Sequence, residues 1–358
     1  MSDYQLNFML PLVIQENIPL APLHTFHIPA TARYYSAITS QSILLDLLED
    51  TALRTLPHIV MGNGSNLLFV QDFPGWVIHV AIGGIERVAE DDACIHLRVG
   101  AGVEWHQLVM WCVARNYGGI ENLSLIPGTV GAAPVQNIGA YGVEFSEVFE
   151  ELEAVEIHTG KVHKFTKQDC CFGYRDSIFK NALRGQYIIT YVTLRLQKHP
   201  ALRITYGAIR ETLEKMHVQT LSIQVISDAI VHIRRQKLPD TDQLGNAGSF
   251  FKNPLINKAA AIRLQKDYPT LPSNVLTPLP DAAFKVSAAW LIEQCGWKGY
   301  RRGEVGVHAN HALVLVNYGQ ATGLELLHLS QQIQASVWHR FQIALIPEVV
   351  IIGDDYKP

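Results

Sequence analysis

A stretch rich in small residues, 126–142, constrains the fold most, because neither a regular helix nor a solvated linker suits it. It contains four glycines, three alanines and two prolines. Proline breaks helices, and the apolar content of the stretch is too high for an exposed linker. A buried connection must satisfy its backbone polar groups. The stretch therefore predicts a loop that packs against another domain or against a large, flat, polar cofactor.

Length and composition limit the class of protein. A chain of 358 residues predicts two or three domains. The net charge of -4 and the absence of a Lys/Arg run argue against a nucleic-acid partner and against an anionic membrane. No apolar run reaches the roughly 20 residues needed to span a bilayer, and the N-terminus lacks the pattern of a signal peptide. We expect a cytoplasmic protein without membrane insertion.

Apolar periodicity predicts an α+β fold with mixed strands rather than a regular βαβ series. Helices are expected at 42–50, 104–115, 222–235 and 326–341. Strands are expected at 58–61, 67–70, 153–157, 187–196 and 347–352. A proline follows the third helix at Pro239, which predicts a domain boundary near residues 237–240.

The segment Gly62-Asn63-Gly64-Ser65-Asn66 follows a predicted strand. Its backbone amides can form a concave nest for a pyrophosphate, but a plain hairpin turn explains the same residues. It is not a Rossmann fingerprint, because the third glycine is missing and a strand is expected to follow. The residues alone leave both interpretations open.

A second glycine-rich segment, 245–254, reads Gly-Asn-Ala-Gly-Ser-Phe-Phe-Lys-Asn-Pro. Glycine permits close backbone approaches, so this loop can present the Ser249 hydroxyl to a ligand while Phe250 and Phe251 anchor it in the core. Lys252 and Asn253 add a cation and an amide suited to phosphate or sugar. The alternative is a tight turn before a proline.

Two charged residues stand in apolar surroundings. Arg175 lies among aromatic neighbours, and a guanidinium can hold a carboxylate or phosphate through two parallel hydrogen bonds; a structural pair with Asp176 is the alternative. Glu348 lies in an apolar run, where a carboxylate needs a cationic partner or an outward position on an edge strand. The histidine pairs at 24/27 and 308/311 lack a third ligand, so no metal site is predicted.

Taken together, these segments resemble the UDP-N-acetylenolpyruvoylglucosamine reductase (MurB) family, type I, over residues 22–353. Their order and number make the resemblance specific. The matching segments are His24-Thr25-Phe26, 62–66, 126–142, Phe172-Gly-Tyr-Arg-Asp-Ser-Ile-Phe-Lys180, Lys237-Leu-Pro239, 245–254, Trp290-Leu-Ile-Glu-Gln-Cys295 and Pro347-Glu-Val349.

The resemblance implies the fold and its division. It implies an FAD-binding fold of the vanillyl-alcohol oxidase (PCMH) type in two subdomains, 1–82 and 83–237, followed by a C-terminal α+β substrate domain, 238–345. The last strand, within 346–358, is a candidate to return to the first subdomain. It further implies non-covalent FAD, NADPH as co-substrate and a monomeric enzyme.

The resemblance also implies a reaction and its residues. A hydride passes from NADPH through flavin N5 to the enolpyruvyl ether of UDP-N-acetylglucosamine, giving UDP-N-acetylmuramate for peptidoglycan synthesis. The catalytic residues implied are Arg175, Ser249 as proton donor, and Glu348. The cofactor contacts implied are Gly62, Asn63, Gly64, Ser65, Asn66, Pro127, Gly128, Gly131, Ala132, Ala133, Asn137, Gly139, Tyr141 and Gly142. The substrate contacts implied are Tyr174, Tyr206, Lys237 and Asn253.

One departure from the family concerns the cofactor loop. Ala132 and Ala133 stand where relatives often carry serines, so hydrogen bonds to the flavin from this pair must come from the backbone. Two other functions stay open on the sequence alone. One is a flavin oxidase of the same fold acting on another substrate, and the other is a non-catalytic sensor of nucleotide sugars.

Overall fold

The computed structural model describes residues 14–279 and 282–353. Their contacts form two compact units. The first unit contains residues 14–18, 32–62 and 74–203, and the second contains 19–31, 63–73 and 204–353. The helices are α1 (Gln41–Glu49), α2 (Thr51–Thr55), α3 (Trp105–Val113), α4 (Gly207–Lys215), α5 (Ile223–Lys237), α6 (Lys258–Asp267), α7 (Ala288–Gln294) and α8 (Gly323–Phe341).

The strands alternate with these helices without a regular repeat. They are β1 (Gln15–Pro19), β2 (Thr31–Ile38), β3 (His58–Met61), β4 (Leu67–Phe69), β5 (Phe73–Val80), β6 (Ile85–Glu90), β7 (Cys94–Gly100), β8 (Gly139–Ala140), β9 (Val143–Glu144), β10 (Phe149–Glu156), β11 (Val162–Thr166), β12 (Tyr187–Gln197), β13 (Gly245–Ser249), β14 (Leu255–Asn257), β15 (Leu276–Pro278), β16 (Ala283–Val286), β17 (Arg301–Arg302), β18 (Val305–Val307), β19 (Val314–Asn317) and β20 (Val350–Ile352).

The four helix predictions are confirmed: each helix buries an apolar face, and all but α3 have a side-chain N-cap. In α5 the side chains of Ile226, Ile230 and Ile233 are buried, and the Ser222 hydroxyl accepts a hydrogen bond from a first-turn amide. In α8 a capping box joins Thr322 and Glu325 at the first turn. The predicted helices at 42–50 and 104–115 correspond to α1 and α3.

The first unit is built on two sheets. One has the strand order β1-β2-β5-β3, and the other has the order β11-β10-β12-β7-β6. In the second sheet, β12 pairs antiparallel with both β10 and β7, with Val192 opposite Leu152 and Val99. All three of these side chains are buried, so this face supplies the core. The opposite face carries charge, including the two hydrogen bonds from Arg98 to Glu153.

The second unit packs helices against a four-stranded sheet of order β13-β19-β18-β17. Its core cluster includes the fully buried side chains of Phe26, Phe250, Leu291 and Ile333. Burying a Phe or Leu side chain contributes roughly 1.5–3 kcal/mol, so this cluster holds β13 firmly. The C-terminal strand β20 pairs in parallel with β4, with Ile351 opposite Leu68.

Two expectations about boundaries need comment. The strand predicted at 347–352 is wrong in its first half, because β20 begins only at Val350 and Glu348 lies before it. Pro347, which has no amide proton to donate, forms only an isolated bridge to Phe251. The division at 82/83 and 237/238 stays a prediction; the contacts place α4 and α5 in the second unit. No helix of the described ranges is long and apolar enough to cross a membrane.

Candidate active site

The arginine turn, residues 173–176, presents Arg175 in the first unit. Gly173 and Asp176 exchange backbone hydrogen bonds of 3.0 and 3.2 Å across it. Arg175 has a φ of 53°, a left-handed conformation that is uncommon for a residue with a side chain. Its guanidinium donates to the Gly139 carbonyl and lies 5.4 Å from the Tyr174 ring centroid. The turn therefore projects a half-buried cation next to an aromatic ring.

The alternative role of Arg175 is a structural ion pair with Asp176. The Asp176 carboxylate has other hydrogen-bond donors and does not require this pair. Both carboxylate oxygens of Asp176 accept hydrogen bonds of 3.0 Å from the Asn181 side chain. The turn is also fixed beyond its end, where the Ser177 hydroxyl donates to the Val135 carbonyl at 2.6 Å. The conformation of the turn thus depends on neighbouring amide and hydroxyl groups.

Ser249 ends strand β13 in the second unit. Gly248 before it has a φ of 67°, and its amide donates to the Asn246 side chain at 2.9 Å. Phe250 and Phe251 after it are buried, with ring centroids 5.1 Å apart in an edge-on arrangement. The half-buried Ser249 hydroxyl makes no hydrogen bond within the described part of the chain. The predicted aromatic anchoring is confirmed, and the hydroxyl is available to a ligand.

Glu348 lies beside this serine strand in the second unit. The Glu348 amide donates to the Phe250 carbonyl at 2.7 Å. The Asn66 side chain donates to the Glu348 carbonyl at 3.1 Å, and the Asn66 carbonyl accepts from the Val350 amide at 3.0 Å. Backbone contacts therefore bring three separate predicted segments together: the serine strand, the glutamate and the end of the 62–66 loop.

The 62–66 loop connects β3 to β4, as predicted. Gly64 is buried with a φ of 60°, and a Cβ there would lie 2.4 Å from the Leu23 carbonyl. The backbone amides of residues 63–65 make no hydrogen bond to residues that the structure describes. The Thr25 amide donates to the Gly64 carbonyl, and the Thr25 hydroxyl is buried without a partner in the described ranges. Consecutive unpaired amides at a glycine turn suit an anion such as a pyrophosphate.

His24 lies against the same loop. Burial lowers the pKa of the His24 imidazole to about 4, and its Nε2 is 3.0 Å from the Ile28 carbonyl. A neutral histidine here adds no positive charge, so the loop relies on amide and hydroxyl donors. His24 and Thr25 belong to a segment that resembles the family, but the sequence predicts no role for them. Their position beside Gly64 accounts for that segment.

Two glycines of the 126–142 loop, and Gly62 opposite Thr129 of this loop, are closely packed in the first unit. A Cβ at Gly62 would lie 2.2 Å from the Thr129 hydroxyl oxygen, and a Cβ at Gly131 would lie 2.6 Å from the Ala101 methyl. A Cβ at Gly139 would lie 2.9 Å from an Arg175 nitrogen. Such close approaches leave no room for larger side chains. These positions of the loop are therefore closely packed within the first unit, as the small residues predict.

A buried asparagine without a distinguishing local pattern supports this loop. Asn122 is fully buried, and its side chain donates at 3.1 Å to the carbonyls of Tyr141 and Arg203. Tyr141 has a φ of 50°. The Asn122 Oδ1 atom is buried without a partner among the described residues.

The predicted substrate residues lie in both units. Tyr174 accompanies Arg175 in the first unit. In the second, Tyr206 stands at the N-cap of α4 with 51% of its surface exposed, and Lys237 is the last residue of α5. The Asn253 side chain accepts from the Ala288 amide at 2.9 Å, at the start of α7. The convergence of both sets on one ligand stays a prediction.

Family models match both parts of the chain. Residues 32–166 match the FAD binding domain. Residues 239–352 match the UDP-N-acetylenolpyruvoylglucosamine reductase, C-terminal domain. These matches cover most strands of the first unit, without β1 and β12, and the serine strand of the second. They confirm the predicted FAD-binding fold and the α+β substrate domain.

Relatives match over nearly the full length. A protein of Amoebophilus asiaticus named UDP-N-acetylenolpyruvoylglucosamine reductase is 59% identical over 95% of this chain and 99% of its own length. A protein of Pseudomonas putida with the same name is 45% identical over 92% of this chain and 96% of its own length. The crystal structure of UDP-N-acetylenolpyruvylglucosamine reductase (MurB) from Thermus caldophilus aligns with a TM-score of 0.66 at 23% identity, over 95% of this chain and all of its own.

Proposed function

Because the chain belongs to the UDP-N-acetylenolpyruvoylglucosamine reductase family, we infer that it reduces the enolpyruvyl ether of UDP-N-acetylglucosamine to UDP-N-acetylmuramate, with NADPH as reductant. This reaction supplies a precursor of peptidoglycan. FAD, when bound, would supply the hydride-transfer chemistry between NADPH and the substrate double bond. The structural observation that carries the proposal is the Ser249 hydroxyl, which has no partner among the described residues and stands on an anchored strand beside Glu348.

Two loops hold FAD in this proposal. Gly62 to Asn66 contact the pyrophosphate, and the amides of residues 63–65, which make no hydrogen bond to the described residues, donate to it. Pro127, Gly128, Gly131 and the Ala132-Ala133 pair contact the ring system through their backbone. Asn137, Gly139, Tyr141 and Gly142 continue the same surface. No histidine is assigned a covalent link, so denaturation should release all of the flavin.

Arg175 stabilises the charge that develops on the substrate. Hydride addition to the β-carbon leaves negative charge on the α-carbon, and that charge spreads into the adjoining carboxylate. A fixed guanidinium stabilises this charge more in the transition state than in the ground state, which is the condition for catalysis. The left-handed backbone of Arg175 and its bond to the Gly139 carbonyl hold the cation in place before substrate arrives.

Ser249 donates the proton to the α-carbon. A serine hydroxyl is a weak acid, so proton transfer requires a strongly basic developing carbanion within hydrogen-bond reach. The half-buried hydroxyl makes no hydrogen bond to the described residues, and the buried side chains of Phe250 and Phe251 anchor its strand. Solvent then returns the proton to the serine.

Glu348 polarises the substrate carboxylate and keeps the site in register. Its backbone is bonded to Phe250 on one side and to Asn66 on the other. The loss of its charge should therefore affect the chemical step more than the fold. Tyr174 lies beside the substrate carboxylate in this proposal, and Tyr206, Lys237 and Asn253 grip the nucleotide diphosphate.

The test separates the two halves of the reaction. The purified protein should contain FAD, should be reduced by NADPH alone, and should then transfer the hydride to the enolpyruvyl substrate. Reduction by NADPH without reoxidation by this substrate would reject the proposed reaction. We further propose a monomeric, cytoplasmic enzyme with subdomains 1–82 and 83–237 and a substrate domain 238–345; sedimentation at micromolar concentration tests the monomer.

A further inference from the structure

The side chain of Asn137 connects the cofactor loop to the arginine turn. It is 1% exposed, and three hydrogen bonds hold it inside the first unit. Its Nδ2 donates at 3.0 Å to the Gly173 carbonyl and at 3.0 Å to a Glu144 carboxylate oxygen. Its Oδ1 accepts from the Ser146 amide at 2.9 Å. The amide thus spends its two donor hydrogens and one of its acceptor sites on the protein.

The orientation of this amide is unambiguous. Its nitrogen faces two acceptors, and its oxygen faces a backbone N–H. A flipped amide would set oxygen against two oxygens and nitrogen against a donor. Asn137 also has a φ of 45°, a left-handed conformation that asparagine tolerates better than most residues. Both the backbone and the side chain therefore favour asparagine at this position.

The contact at Gly173 reaches the catalytic arginine through the turn. The Gly173 carbonyl accepts from the Asn137 side chain and also from the Asp176 amide, which closes the arginine turn. Two residues later in the chain, Arg175 donates to the Gly139 carbonyl. The cofactor loop thus holds the turn at two points, once through the Asn137 amide and once through the guanidinium itself.

We propose that Asn137 is a positioning residue that fixes the arginine turn, so that the Arg175 guanidinium is preset for the substrate carboxylate. This proposal rests on the proposed function and adds a task for Asn137 besides its predicted cofactor contact. The donor hydrogens of the amide are the essential feature, because both the Gly173 carbonyl and the Glu144 carboxylate only accept. A misplacement of a catalytic group by about 1 Å can cost about 100-fold in rate.

Two variants test the proposal on the FAD-bound protein. Asn137→Ala removes all three hydrogen bonds. Asn137→Asp keeps an acceptor for the Ser146 amide and removes the donors. Ser36→Ala is the matched control. It removes one buried side-chain hydrogen bond, donated by Trp76 at 3.1 Å, in the sheet β1-β2-β5-β3 of the same unit.

Stopped-flow measurement of the two half-reactions gives the first readout. In both Asn137 variants, reoxidation by the enolpyruvyl substrate should slow by about 10- to 100-fold, and this slowing should be clearly larger than any change in the rate of reduction by NADPH. The Asn137→Asp rate should recover as pH falls, because the introduced carboxyl group regains an O–H donor when protonated and the facing Glu144 favours that protonation. A merely structural role would slow both half-reactions, or neither, without this pH dependence.

Hydrogen exchange gives a second readout that needs no substrate. Backbone amides in peptides covering residues 172–177 should exchange about ten-fold faster in Asn137→Ala than in the parent or in Ser36→Ala. Unchanged exchange and unchanged reoxidation in both Asn137 variants would overturn the proposal. If the parent protein fails to transfer hydride to the enolpyruvyl substrate, the proposed function fails, and exchange in the turn still decides whether Asn137 fixes it.

Discussion

Replacing Ser249 by alanine should remove the proton donor and leave the fold intact. The hydroxyl makes no hydrogen bond within the described part of the chain. The backbone on either side is held by other groups, including the 2.8 Å bond from the Phe250 amide to the Leu313 carbonyl. The free energy of unfolding should therefore change by no more than about 0.5 kcal/mol.

The effect on catalysis should be much larger and confined to one step. A positioned general acid contributes about 10²- to 10⁴-fold to a rate. This range corresponds to about 3–5 kcal/mol of barrier for delivery of hydride and proton to the substrate. Reduction of the bound FAD by NADPH does not use this proton, so that step should keep its parent rate.

The assay is anaerobic stopped-flow absorbance of the flavin with each half-reaction started separately. Ser249→Cys is the informative companion, because a thiol keeps a proton to donate and should restore part of the reoxidation rate. Urea unfolding of both variants checks that stability is preserved. Reoxidation of Ser249→Ala at the parent rate would refute the assignment of Ser249 as proton donor.

Three further outcomes follow from the structure. Glu348→Gln should slow reoxidation by about 10²- to 10³-fold, as loss of an electrostatic contact in a preorganised site does, and should leave reduction by NADPH unchanged. If the variant has the parent rate in both steps, Glu348 has no part in the mechanism. Gly62→Ala would place a Cβ 2.2 Å from the Thr129 hydroxyl oxygen, so it should cost about 1–3 kcal/mol of stability and lower the flavin retained after gel filtration, and full retention with an unchanged melting temperature would contradict this. Burial lowers the pKa of His24 from 6.5 to about 4. Between these two pH values His24 is therefore protonated in the unfolded chain and neutral in the folded chain. Its contribution to the free energy of unfolding should be complete above pH 6.5 and should fall by up to about 3 kcal/mol towards pH 4. Urea titrations at several pH values check this, and His24→Gln should reduce the dependence, while His311, whose pKa burial also lowers to about 4, should maintain the rest.

The sequence predicted those elements whose local pattern carries its own signal. Strand β3 (58–61) was predicted residue for residue, because an apolar run ends there at a glycine. Helix α5 was predicted from its isoleucine spacing, and the structure adds a serine cap. The irregular loop at 126–142 was predicted from its small residues; close contacts with Ala101 and Arg175 explain Gly131 and Gly139, whereas a Cβ at Gly142 would meet nothing within 4 Å.

The remaining features depend on contacts between distant segments, which no local pattern encodes. The position of Glu348 was predicted inside a strand, but the backbone before Val350 is instead bonded to Phe250 and Asn66. Thr25 has no distinguishing local pattern until its amide meets Gly64. The donor hydrogens of Asn137 acquire their task only when the arginine turn, 36 residues away in the chain, folds against the cofactor loop.

The most direct test of the proposed chemistry is the product of a single turnover in D₂O. The FAD-bound protein is reduced with NADPH, mixed without oxygen with UDP-N-acetylglucosamine enolpyruvate, and the nucleotide sugar is examined by NMR. We predict rapid reoxidation of the flavin and a lactyl ether with one deuteron on its α-carbon, delivered through the exchanged Ser249 hydroxyl. A flavin that stays reduced, or a recovered enolpyruvyl ether without a lactyl product, would contradict it.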